Sequence, residues 1–164
     1  MHFKSLYALI YKPVLFVCIG TPRAVGDSIG PRVGEKLIHS NLKNIKVLGT
    51  MDKPVHALNI KDTVKQIKRE YSNHTVVAVD AFISDSRKFG EIIKFDGPIF
   101  PGAGVGKKLP AIGDCSIIIN VANTDYKKET NNVLFDMDEE MACILADKLY
   151  WYIKKTHWRK FKFI

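Results

Sequence analysis

No stretch of this 164-residue chain approaches the ~18 consecutive apolar residues of a membrane span. Its opening apolar stretch, MHFKSLYALIYKP, is broken by Lys12-Pro13 and carries no small-residue cleavage site, so no secretory signal is expected. Cysteine is scarce. Cys18, Cys115 and Cys143 are the only three, all inside apolar segments, and no Cys-x-x-Cys occurs. An odd count in such settings reads as reduced, buried thiols and fits a cytosolic compartment. Zinc-finger spacing is absent, and no Gly-x-Gly-x-x-Gly follows the first strand-like run. Pro101 to Lys108, PGAGVGKK, resembles a phosphate loop only at first sight. A Walker loop would need glycine at Pro101 and a hydroxyl residue at Lys108.

Charge is present but uneven. The formal net charge is +8, yet Tyr150 to Ile164 holds Lys154, Lys155, Arg159, Lys160 and Lys162 with no acid. Five of the eight surplus charges therefore lie in one aromatic tail. Aromatics interleaved with cations can bind nucleic acid or a membrane surface; the bland reading is a last helix packing its aromatics on the core, followed by a solvated end. The rest of the chain is only mildly basic, and a nucleic-acid partner is not expected.

Continuous apolar runs alternate with helical patterns. Val14–Ile19, Asn44–Leu48, Thr75–Val79, Gly90–Phe95 and Cys115–Val121 read as strands. Ser28–His39, Asn59–Tyr71 and Val133–Lys155 read as helices. The Gly- and Pro-rich span Asp96–Asp114 reads as a loop. Fully apolar strands separated by helices predict a mostly parallel, twisted sheet with both faces covered, an α/β/α sandwich. Length and the absence of a linker predict one domain over residues 1–164, with a basic aromatic tail at 156–164.

The chemistry concentrates at strand ends. After Val14–Ile19 come a glycine turn, Asp27 and Gly30-Pro31; after Thr75–Val79 comes Asp80. In α/β sheets that edge is where ligands bind. Two carboxylates brought there either separate their pKa values and divide acid and base roles, or hold a metal together. Asp27 or Ser28 could instead cap the next helix, and Asp80 could be a turn residue. Asp85 reads as solvated. The segment Gly49-Thr50 through His56 follows the second strand, so Thr50 and His56 reach the same edge; His56 is a candidate ligand or acid/base group, or a satisfied structural histidine.

Four ordered motifs, VLFVCIGTPRAVGDSIGPRVGEKL, VLGTMDKPVHALNI, VVAVDAF and FPGAGVGKKLPAIGD, resemble the YyaC-type sporulation proteins of spore-forming Firmicutes from about Val14 to Val121. Those are similar, more distantly, to the spore germination protease and the hydrogenase maturation endopeptidases. The resemblance implies a phosphorylase/hydrolase-like three-layer fold and a sporulation-associated peptidase in the cytoplasm of forespore or mother cell. It also implies a catalytic pair of Asp27 and Asp80 acting on a protein or peptide substrate. From the hydrogenase endopeptidases it implies a divalent metal, zinc or nickel, on Asp27 and Asp80, with His56 the one histidine nominated as third ligand. Thr50, His56, Gly102 and Gly104 are the expected substrate contacts. A non-catalytic sporulation binding protein on the same fold, and a metal-dependent amide hydrolase acting on something other than protein, are the alternatives. A homo-oligomer is left open.

Overall fold

The computed structural model describes residues 12–101, 108–122 and 134–161, with side chains up to Thr156. Gly102, Gly104 and most of the tail at 156–164 lie outside the described side chains.

Five strands form one sheet: β1 (Val14–Cys18), β2 (Ile45–Leu48), β3 (Thr75–Phe82), β4 (Ile92–Asp96) and β5 (Cys115–Asn120). Their order is β2-β1-β3-β5-β4, parallel except for β4, which runs antiparallel to β5 at one edge. Among the described residues three helices cover it: α1 (Ile29–Ile38), α2 (Ile60–Glu70) and α3 (Glu139–Phe161). A short 3-10 turn, Gly26–Ser28, leads into α1.

Alternation along the central strands explains the layers. Phe16 and Cys18 of β1 and Val77 and Val79 of β3 pack with Ile29, Val33 and Leu37 of α1 and with Leu145 and Leu149 of α3. The intervening Leu15, Val17, Val76 and Ala78 pack on the other face with Ile60 of α2. A strand buried on both faces has to be apolar at every position, which is why β1 reads as a continuous run. The result is the expected three-layer α/β/α sandwich.

Four boundaries differ from the sequence expectation. β3 continues through Asp80 to Phe82 because β5 keeps pairing with it, Asp80 opposite Ile118 and Phe82 opposite Asn120. Asp80 is therefore inside a strand, not beyond one. The span 96–114 is not a plain loop: Ile99 and Ile112 exchange backbone hydrogen bonds, each 3.0 Å, and pack against the α2-side core. α3 starts later than Val133–Lys155 predicts, because Asp138 Oδ1 accepts the Glu140 and Met141 N–H groups and caps it there. It also runs past Lys155 to Phe161, so the tail begins as helix. The expectation of buried thiols holds for Cys18 but fails for Cys143, which is exposed on α3, and Cys115 is only half-buried.

Backbones approach very closely where α1 crosses the sheet. A Cβ on Gly30 would lie 2.0 Å from the Ile19 carbonyl oxygen, and one on Gly49 would lie 1.8 Å from that of Cys18. Gly49 also has φ +89°, a conformation side chains resist. The Gly30 contact pins the start of α1 to the carboxyl end of β1, and the Gly49 contact draws the end of β2 against it.

Candidate active site at the carboxyl edge

The chain leaves β1 towards β2 on one side and reaches β3 and β5 on the other. The crevice between the carboxyl ends of β1 and β3 is thus a topological switch point, the usual ligand position in open α/β sheets. Asp27 comes from the β1–α1 connection, Asp80 from β3, and His56 from the β2–α2 connection.

Asp27 is held by its own loop. Gly20, at φ +142°, sits so close to the returning chain that a Cβ would lie 1.9 Å from the Asp27 carbonyl oxygen. The Thr21 N–H then donates both to that carbonyl at 3.1 Å and to Asp27 Oδ2 at 2.9 Å. The carboxylate is turned back into the glycine turn. No side-chain hydrogen bond caps α1; the Ser28 hydroxyl instead donates to the Val25 carbonyl at 2.6 Å. The helix-cap alternative thus fails for both residues.

Asp80 shares the parity of Val76 and Ala78, which face the α2 side. Its Oδ1 accepts the Ala81 N–H at 2.8 Å. His56 is fixed by Asn59: the His56 N–H donates to Asn59 Oδ1 at 2.8 Å, and Asn59 Nδ2 donates to the Pro54 carbonyl at 2.9 Å. The Leu58 N–H donates to His56 Nδ1 at 3.3 Å, which leaves Nε2 to carry the proton of the neutral ring.

Asp27 stands in the electrostatic reach of both of the others. Burial, and then the charge of Asp27, push the Asp80 carboxyl well above the ordinary carboxylate range. Asp80 keeps a partly accessible surface, but dense packing around it still disfavours its charge. Burial also raises Asp27, opposed by the Thr21 N–H and by the nearby His56. The two acids thus stand in different environments, with Asp80 the more inclined to keep its proton. Cys18 is fully buried, and burial followed by the charge of Asp80 pushes its thiol up, so it offers no thiolate nucleophile.

Thr50 lies on the same edge, but its hydroxyl accepts the Lys53 N–H at 3.2 Å and closes its own turn. Asp85 is exposed, as expected. Among the described residues no three His, Cys, Asp or Glu side chains gather so as to hold a metal ion. Asp27, Asp80 and His56 therefore do not form a ready three-ligand centre, and one oxygen of each acid is already taken by a backbone N–H.

Two contributors escaped sequence reading. The Thr21 clamp is a backbone group and leaves no residue-type signal. Asn120, fully buried at the end of β5, donates from Nδ2 to the carbonyls of Ser84, Arg87 and Lys88 and accepts the Ser84 N–H, fixing the loop after β3. An Asn closing the apolar run Ile117-Ile118-Ile119 was its available signal.

A family model described as a protein of unknown function, DUF1256, matches residues 2–147. The uncharacterized protein YyaC of Bacillus subtilis is 41% identical over 159 residues, covering 96% of this chain and 77% of that protein. Among solved structures, the NiFe hydrogenase maturation protease HybD from Thermococcus kodakarensis superposes with a TM-score of 0.50 at 14% identity, over 88% of this chain and 98% of that one. A peptidyl-tRNA hydrolase from Acinetobacter baumannii gives 0.58 at 12% identity, over 91% and 94%. At such identities the likeness is one of fold.

Proposed function

The chain belongs to the DUF1256 family, and from the geometry of its carboxyl-edge acids we propose that it is a peptidase-like hydrolase that cuts an amide bond in a protein or peptide. The observation that carries this reading is the Asp27–Asp80 pair. Two carboxyls from different elements reach one switch-point crevice within each other's field, and Asp80 is pushed the higher. Environments that split two acids this way assign an acid and a base.

In the proposed reaction Asp27, ionised, takes a proton from a water as its oxygen attacks the scissile carbonyl carbon. Asp80, protonated, gives its proton to the departing amine nitrogen as the C–N bond breaks. Water supplies the hydroxyl of the new acid, and the Asp27 proton returns the pair to its starting state. His56, with Nε2–H available, is assigned to hold the substrate carbonyl. Thr50 flanks the crevice as a substrate contact, and Gly102 and Gly104 are retained as contacts from the 96–114 segment. No step is routed through zinc or nickel, because the described residues offer no group of three such ligands. The four-motif resemblance is the support for assigning the reaction to spore formation or germination, in the cytoplasm of forespore or mother cell.

The test is incubation of the protein with a proteome-derived peptide library, read by mass spectrometry. Cleavage is expected, and Asp27→Asn and Asp80→Asn should each reduce it at least about 100-fold with unchanged circular dichroism. Retained cleavage in Asp27→Asn would sink the mechanism. Cleavage of no peptide at all by the folded wild-type chain would leave a binding pocket and overturn the hydrolase reading.

A further inference from the structure

Two large apolar side chains stand uncovered beside the acids of the carboxyl edge. Leu58, in the β2–α2 connection, is 78% exposed, the most of any large hydrophobic residue among those described. Its place at the site is fixed by backbone bonds. The Gly20 N–H donates to the Val55 carbonyl at 2.8 Å and Ile19 bridges Val55, so this connection is stitched to the turn that holds Asp27. The Leu58 N–H then donates to His56 Nδ1, one hydrogen bond from the imidazole. An apolar residue just before a helix N-cap often folds back onto an apolar residue four positions past the cap. The cap position of α2 is Asn59, and the residue four on is Thr63, buried with its hydroxyl donating to the Asn59 carbonyl at 3.1 Å. α2 therefore offers Leu58 no apolar seat.

Phe135 stands on the other side of Asp27. The backbone of Leu134 lies against Gly26, where an added Cβ would come 3.1 Å from the Leu134 Cα. Gly26 directly precedes Asp27, and Phe135 directly follows Leu134. Leu134 packs on the core shared by α1 and α3, while Phe135 is 59% exposed. Leu58 thus belongs to the α2 face of the edge and Phe135 to the α1 and α3 face. One exposed apolar residue needs no explanation; two, on either side of paired acids, call for one. We propose that Leu58 and Phe135 are two apolar subsites flanking the acids, and that the substrate is an extended peptide with a large apolar side chain on each side of the bond to be cut. An extended chain advances ~3.3–3.6 Å per residue and turns alternate side chains to opposite sides, so one strand lying in the crevice can present an apolar residue to each rim. The inference rests on the hydrolase reading for the cut itself; the two seats would serve a peptide that is only bound equally well.

The probe is a positional-scanning library of N-acetylated octapeptides incubated with the full chain and read by mass spectrometry. Leu, Phe or Met should be favoured over Ser about tenfold at one position on each side of the cut. Leu58→Asp should erase the preference on one side and select Lys or Arg there instead, and Phe135→Asp should do so on the other side. A merely structural role would lower cleavage of all peptides alike and create no new preference. Cleavage indifferent to apolar residues overturns the proposal and leaves the hydrolase reading standing, as does a preference that either variant leaves unmoved. If the folded chain cuts nothing, the hydrolase reading falls, and fluorescence anisotropy with labelled peptides of the same library decides the subsites. Binding of apolar peptides about tenfold tighter than that of Ser peptides, lost in Leu58→Asp and in Phe135→Asp, upholds them. Equal binding of the two classes, or none, overturns them.

Discussion

Asp80 is the residue where stability and proposed function pull apart. Its carboxyl is held well above its ordinary value of 3.8 by burial and by Asp27. For a raised acid the unfolded chain releases its proton first. Below the ordinary value both states hold the proton and no cost arises; as pH rises, the unfolded state ionises while the folded state does not, and stability falls up to the raised value. Asp80→Asn keeps an oxygen for the Ala81 N–H and removes the ionisable group. Its Tm should therefore exceed that of wild type by about 3 °C near neutrality, with the gap closing towards pH 4. Differential scanning calorimetry at several pH values would check this, and an equal gap at every pH would refute it. A residue kept only for stability would not carry this cost.

At the scale of elements, short connections do the positioning. The β2–α2 turn is organised by Asn59, which accepts the His56 N–H and donates to the Pro54 carbonyl. Asn59→Ala removes both bonds, and about 1–2 kcal/mol of stability should go with them. With His56 loosened, kcat on a cleaved peptide should fall about tenfold while KM changes little. Asn59→Asp, which keeps the acceptor, should recover part of the loss. The β1–α1 connection uses a different device: Gly20, Gly30 and the Thr21 N–H bring Asp27 back to the edge. This explains why the strands were readable from composition while the posture of Asp27 was not. Its fixing partners are a backbone N–H and the absence of two Cβ atoms.

Across the whole molecule the two helical layers are unequal. α1 and α3 share one face and are tied by the Arg32–Glu139 and Lys36–Asp147 pairs, the latter 2.7 Å. These pairs are partly solvated and contribute little; the apolar seam beneath them dominates. Leu149, fully buried there, should cost about 3 kcal/mol when changed to Ala, measured as a lower urea midpoint with unchanged slope. Among the described residues no helix is long and apolar enough to cross a membrane.

The sequence by itself determined the layers and the chemistry available to them. A strand buried on both faces must be apolar throughout, as β1 is, and helices over a sheet must show one apolar face, as α2 does with Ile60, Val64 and Ile67. It also marked Asp27 and Asp80 as acids at strand ends. Only the tertiary structure decided that β1 and β3 are neighbours flanking the switch point, that Asp80 remains within its strand, that Ile99 pairs with Ile112 against the α2-side core, and that Cys143 faces out. Each of these depends on pairing between segments far apart in the chain. Local periodicity records whether a residue is buried, but not against what.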